Sequence, residues 1–268
     1  MRIGRIGYIN CAPVYGAIDR GVVALPPGGE LVTGTPSELN DLLVAGELDV
    51  SVISAIEYAR HAKDLVLLSD LAISCDGPVR SVALFSKRAV ERLGGSTVLL
   101  SASSRTSVAL LELLCREVWK ILPKFAEARA EAPDLETLAA LPHEAVLVIG
   151  DAALQLAAAG TYPHRYDLGE EWKRWTRQPF VFAVWAARRS AAASASIHSA
   201  HTALLDSRTW GLAHLDELAA EASRKTGVPI AACREYLGGL DYAFSDQHRT
   251  ALTDFLRRVG SPQFVQVA

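Results

Sequence analysis

Ser101-Ala102-Ser103-Ser104-Arg105-Thr106-Ser107 gathers hydroxyls and one permanent cation between a strand-like run and an amphipathic run. At a helix start, free backbone N–H groups and the positive end of the macrodipole point the same way. The segment therefore suits a carboxylate or a phosphate, with Ser104, Arg105, Thr106 and Ser107 as candidate ligands. Helix capping with a solvent-facing arginine explains the same residues, and the sequence weighs the two evenly. A glycine-rich Walker pattern is absent, which argues against a nucleotide. A second strand-to-helix turn, Ile149-Gly150-Asp151-Ala152-Ala153-Leu154, has similar character. Asp151 there can cap a helix and still face a ligand.

Two more segments put polar groups at strand ends. In Tyr8-Ile9-Asn10-Cys11-Ala12-Pro13, Asn10 falls just after the first strand, where α/β sheets place ligand contacts. Its amide donates and accepts. On the residues alone, a turn-forming asparagine ahead of Pro13 is the stronger explanation. Cys11 has no histidine nearby in sequence to activate it, which argues against a nucleophile. In Cys75-Asp76-Gly77-Pro78-Val79-Arg80-Ser81, Asp-Gly-Pro marks a turn. Ser81 then opens a strand from which it can face a cleft. His198 and His201 lack a third ligand, so a solvated helix face is expected rather than a metal. Trp172 and Trp175 lie one helical turn apart and are expected to pack.

These segments need elements to position them. Arg2 to Gly7, Glu30 to Thr33 and Leu48 to Ile53 read as strands, separated by helices. Thr35-Pro36-Ser37-Glu38 is a capping box with proline at the first helical position, and Gly46 stops that helix. Ala55 to Ala62 reads as the next helix. The pattern resumes with a strand over Thr97 to Ala102 and a helix over Thr106 to Leu122, whose apolar residues recur at helical spacing. A strand is expected over Phe125 to Ala130, a helix capped by Asp134, and a strand over Ala145 to Ile149. This βαβ order predicts mainly parallel sheets with helices on their faces. Val79 to Phe85 and Phe180 to Ala186 read as two crossover strands. They divide the chain into a discontinuous lobe, 1–83 plus 184–268, and a continuous lobe, 84–183, with a ligand cleft between. After Arg188 the chain becomes helical, ending in a helix capped by Ser245 and stopped by Gly260.

The bulk composition sets limits. Half of the 268 residues are hydrophobic, and the formal net charge is −3, so no basic bias points to nucleic acid. The first residues show no signal-peptide pattern, and the longest apolar run, Phe180 to Ala187, is too short to span a bilayer. Cys11, Cys75, Cys115 and Cys233 are scattered. Neither a zinc site nor a disulfide framework is signalled, and reduced cysteines in a cytoplasmic protein are expected. Nothing calls for a metal or an organic cofactor. Oligomeric state is not legible.

Taken in order, YINCAP, SCDGPVRS, SSRTSV, IGDAAL and LGEEWKRWTRQPFVFAVWAARR resemble the MqnA/MqnD family of menaquinone biosynthesis (the futalosine route), and its MqnA branch in particular. The resemblance spans Arg2 to about Gly260. It implies an α/β, two-lobed, type II periplasmic-binding-protein-like fold. It also implies a chorismate dehydratase, a lyase that removes water from chorismate to give 3-[(1-carboxyvinyl)oxy]benzoate. The family's substrate-contacting Asn and crossover-strand Ser fall on Asn10 and Ser81, and its hydroxyl-rich loop on Ser104 to Ser107. Gly150 and Asp151 complete the expected substrate site. The sister branch, a 1,4-dihydroxy-6-naphthoate synthase, shares the fold, but SCDGPV and GDAAL look more like MqnA. A solute-binding receptor would need an export signal, and a regulator's sensing domain a DNA-binding helix pair; the sequence offers neither.

The implied reaction adds its own constraint. Chorismate carries two carboxylates and loses a ring proton and a hydroxyl. The motif residues are mostly neutral, so they suit positioning better than proton transfer. The proton acceptor stays open between the substrate's own side-chain carboxylate and Asp151.

Overall fold

A computed structural model describes residues 1–101, 104–128 and 135–260. The expected helix cap at Asp134, and Ala102 and Ser103 of the hydroxyl-rich segment, lie outside them.

The first part of the chain runs β1 (Arg2–Ile6), a 3-10 turn (Ile9–Cys11), α1 (Ala12–Asp19), β2 (Glu30–Gly34), α2 (Pro36–Ala45), β3 (Val50–Ser54), α3 (Ala55–Arg60) and β4 (Leu65–Cys75). The second part is β5 (Val82–Ser86), β6 (Thr97–Ser101), α4 (Arg105–Glu117), β7 (Lys124–Ala128), α5 (Leu135–Ala140), β8 (Ala145–Ile149), α6 (Gly150–Ala159), β9 (His164–Asp167) and α7 (Leu168–Thr176). The chain then returns through β10 (Phe180–Arg188) to α8 (Ala195–Ala213), α9 (Leu215–Thr226), α10 (Ile230–Gly239) and α11 (Asp246–Arg258).

Two five-stranded sheets result, β2-β1-β3-β10-β4 and β7-β6-β8-β5-β9. The sheets are mixed rather than mainly parallel. β1 pairs parallel with β2 and β3, whereas β10 runs antiparallel between β3 and β4. β5 likewise runs antiparallel between β8 and β9. The cause is topological. Helix-linked strands end at the cleft, but a strand arriving from the other lobe enters at the cleft and runs away from it. β4 had no counterpart among the expected elements. It is the longest strand, and it holds β10 through a register broken by two irregularities.

Local signals behave as their chemistry dictates. The Thr35 side chain accepts from Glu38 N–H, the Glu38 carboxylate accepts from Thr35 N–H at 2.8 Å, and Gly46 closes α2 at φ +81°. α4 starts one residue early and ends at Glu117, not Leu122. Lys120 takes a left-handed φ of +54°, and Leu122 is 82% exposed. The cores lie between the sheets and their helices. Tyr15 donates to Gly4 O and accepts from Trp185 Nε1, which fixes α1 to the first sheet. Trp172 is buried and donates to Pro179 O, so the tryptophan pair packs, as expected.

Candidate active site

Strand ends and helix starts of both lobes converge on one small cavity. β1 leads to Tyr8 and Asn10, β3 ends in Ser54, and the crossing delivers Ser81 and Val82. The start of α4 brings Ser104 and Ser107, and that of α6 brings Ile149 and Gly150. Ile6, Pro36, Ile73, Phe182 and Ala183 complete the wall, and the cavity measures about 60 Å³. Ligand pockets usually hold about 300–1,000 Å³, so the lobes are closed, and an organic acid needs them to part. A larger space of about 590 Å³, beside Leu138, Leu156, Tyr162 and Val228, is mostly apolar and holds none of the candidate residues. Convergent polar groups, not size, mark the site.

The chemistry of the wall is specific. Among the described lining residues there is no carboxylate, imidazole, ammonium or guanidinium group. Asn10 Oδ1 is buried with no hydrogen-bond partner. Such a group costs about 1–3 kcal/mol, which a bound ligand's donor would recover. Three serine hydroxyls each accept from a protein donor: Ser54 from Asn40 Nδ2 at 3.2 Å, Ser81 from Tyr236 at 2.8 Å, and Ser107 from Ser104 at 2.7 Å. A hydroxyl that accepts in this way keeps its proton to donate. The cavity thus offers three serine donors and an Asn10 amide that both donates and accepts, without a formal positive charge.

A family model described as "Menaquinone biosynthesis" matches residues 1–261. The chain belongs to the menaquinone biosynthesis family. It is 34% identical to the chorismate dehydratase of Thermus thermophilus over 97% of this chain and 95% of that protein. Protein AF1704 from Archaeoglobus fulgidus superposes with a TM-score of 0.79 at 18% identity, covering 97% of this chain and 96% of that one. The alkanesulfonate-binding protein SsuA from Xanthomonas axonopodis, bound to MOPS, gives 0.69 at 15% identity, covering 99% and 96%. These structural likenesses show the fold, a two-lobed periplasmic-binding-protein-like one.

Within this member of the family, the expected site residues divide into two groups. Asn10, Ser81, Ser104, Ser107 and Gly150 line the cavity. Arg105, Thr106 and Asp151 do not; they bind the opposite lobe. Arg105 pairs with Glu57 at 2.6 Å and Asp41 at 2.7 Å. Thr106 Oγ1 accepts from Ile56 N–H, an unpaired donor of the first turn of α3, at 3.2 Å. Asp151 accepts from Ile9 N–H at 2.9 Å and pairs with Lys225 at 3.0 Å. Asp151 is therefore not the cap of α6. The cap position is Ile149, and both Asp151 oxygens serve the first lobe. Lys225 also donates to Gly7 O, which secures the turn that carries Asn10.

Gly150 has a positional reason to be glycine. Its φ is +63°, and a Cβ there would lie 2.7 Å from the Tyr8 ring. Tyr8 thus packs on Gly150 as a wall of the cavity. Its far side faces a second space of about 370 Å³ lined by Arg5, Cys11 and Lys225. Burial, then the nearby Asp151 charge, push the Cys11 thiol up to about 12. It stays protonated and is no nucleophile. Ser81 is held through its backbone: Asp167 accepts from Val79 and Arg80 N–H at 3.0 and 2.6 Å, and Ser81 O accepts from Gly150 N–H at 2.7 Å.

Tyr8, Ser54, Asn40, Glu57, Lys225 and Tyr236 were not among the expected residues. Ser54 ends a strand at the cleft, as Asn10 nearly does, so the strand-end rule reaches it. The others carry no local signal. Among the described residues no group of three or more His, Cys, Asp or Glu side chains gathers to hold a metal. No described helix is long and apolar enough to cross a membrane.

Proposed function

We propose that the chain is a chorismate dehydratase, a hydro-lyase that converts chorismate to 3-[(1-carboxyvinyl)oxy]benzoate and water in the cytoplasm. The observation that carries this reading is the near full-length match to the Thermus enzyme. The cavity supports it. A dianionic substrate meets Ser54, Ser81, Ser107 and the Asn10 amide, which hold its oxygens in place. The elimination breaks one ring C–H and one C–O bond and leaves an aromatic ring. With no carboxylate or imidazole among the described lining residues, the base is the substrate's own side-chain carboxylate, held over the ring proton by the donors; the proton it takes passes to the departing hydroxyl, which leaves as water. Asn10 and Ser81 contact the reacting substrate. Ser104 and Gly150 shape its seat, while Arg105, Thr106 and Asp151 hold the lobes closed around it.

The direct test incubates purified protein with chorismate and identifies the product by mass spectrometry and ultraviolet absorbance. Recovery of unchanged chorismate would overturn the reading. The same assay checks the cofactor expectation, which rests on the missing metal and nucleotide motifs. Turnover should survive dialysis against EDTA; loss on chelation with recovery on adding a divalent ion would refute it.

Asp151→Asn separates a closing role from a proton-accepting one. The amide oxygen still accepts from Ile9 N–H, and only the half-exposed Lys225 pair is lost. The substitution removes the buried charge and leaves only the half-exposed lysine unpaired, a loss of about 0–1 kcal/mol, so turnover should stay within about fivefold of wild type. A general-base Asp151 predicts near-complete loss of turnover with chorismate binding retained.

A further inference from the structure

Ser81 and Ser54 enter the cavity from different elements, yet both are supported in the same way from behind. Tyr236, on α10, is buried, and its hydroxyl donates to Ser81 Oγ at 2.8 Å. Asn40, on α2, is buried; its Nδ2 donates to Ser54 Oγ at 3.2 Å while its Oδ1 accepts from Ser54 N–H at 3.1 Å. Ser54 sits at the cap position of α3 but makes no side-chain cap bond. Its hydroxyl is therefore held by Asn40 and not spent on the helix. Neither serine proton has a hydrogen-bond acceptor among the described residues, and both side chains line the cavity.

We propose that Tyr236 and Asn40 are positioning residues. Each donates to one lone pair of a cavity serine and so turns the protons of Ser81 and Ser54 toward substrate oxygens. This inference rests on the dehydratase reading and names two residues for it that do not touch the substrate. The physical basis is directional. A serine hydroxyl rotates freely in water and serves equally as donor or acceptor. A buried donor on one lone pair fixes the hydroxyl's rotation so that its proton points into the cavity, and the O–H is polarised further by the bond it receives. Burial pushes the Tyr236 phenol well above its ordinary range, so it remains a donor at every working pH. The consequence falls on turnover more than on binding, because donors fixed in advance are worth most where negative charge develops, as on the departing hydroxyl oxygen.

The test is a double-mutant cycle on full-length protein with chorismate as substrate. Tyr236→Phe keeps the ring and removes only the donor. It is expected to lower kcat about tenfold and change KM less than about threefold. Ser81→Ala should cost at least as much, and Tyr236→Phe should add little in the Ser81→Ala background, because the phenol acts only through that hydroxyl. Asn40→Ala should lower kcat in the same way and add little in a Ser54→Ala background, independently of Tyr236; an unchanged Asn40→Ala kcat, or losses additive with Ser54→Ala, would overturn its part. Additive losses for Tyr236 and Ser81 in an active enzyme, an effect on KM alone, or an unchanged Tyr236→Phe kcat would each overturn the inference. An inactive wild type would overturn the dehydratase reading and this inference with it.

Discussion

Asn10→Asp is expected to abolish most turnover on chorismate, by a hundredfold or more, while leaving the protein folded. Two effects combine. The substitution removes the amide N–H₂, a donor to a charged oxygen worth about 1.5–3 kcal/mol, or roughly ten- to a hundredfold. It also sets a carboxylate in a cavity whose described lining holds no cation. At about 4 Å and an effective dielectric near 20, repulsion from a substrate carboxylate adds on the order of 4 kcal/mol. Asn10→Ala removes only the first effect and should retain more activity than Asn10→Asp. Stability should move the other way for Asn10→Ala. Asn10 Oδ1 is buried without a partner, so removing it relieves a cost, and the melting temperature should hold or rise slightly. Steady-state kinetics with a thermal melt decide the matter. An Asn10→Asp enzyme with a third or more of wild-type kcat/KM would sink the assignment.

The sequence shows these features unevenly, and range explains most of the difference. The capping box at Thr35 and Glu38 and the stop at Gly46 are bonds between near neighbours, so residue types alone reveal them. Asn10 is legible only in part: it lies shortly after β1, where strand ends face the cleft, but the residues alone favour a turn ahead of Pro13, and the family resemblance is what singles it out. Ser54 obeys the same rule, but its β3 run, Val50–Ser54, ends in a serine that reads equally well as a helix cap. β4 was not legible. It carries no alternation over most of its length and is interrupted by Ser69 and Asp70, the latter at φ +57°. Only its long pairing with β10 makes it one strand. The antiparallel entries of β5 and β10 follow from where the chain crosses between lobes, which no local pattern encodes. Tyr236 reads as a core aromatic on a helix, and its partner lies 155 positions away. Asp151 looks like a cap because it follows Gly150 at a helix start. Its true acceptor role, toward Ile9 N–H 142 positions upstream, appears only once the lobes meet.

The same distance effect changes the meaning of Arg105 and leads to the second large expectation. Arg105→Ala should lower kcat/KM for chorismate about thirtyfold, and adding Glu57→Gln should restore much of the loss. Glu57 is only 4% exposed in the closed arrangement, and Arg105 reaches it from the other lobe at 2.6 Å. Stranding one member of a buried pair costs about 3–5 kcal/mol. Here His61 at 3.1 Å and Arg60 at 3.5 Å remain beside the carboxylate. The cost of closing without Arg105 is therefore nearer about 2 kcal/mol, roughly thirtyfold in the closed-to-open ratio. In the open form Glu57 regains water, so the penalty falls on closure alone. Glu57→Gln removes the stranded charge and with it most of the penalty, although the attraction across the cleft is also gone. Small-angle scattering should show Arg105→Ala more extended than wild type and the double variant intermediate. An Arg105 that held a substrate carboxylate directly would behave differently. Its loss would weaken chorismate binding whatever stood at position 57, and Glu57→Gln would rescue nothing. The double variant thus distinguishes an arginine that closes the cleft from one that reads its contents.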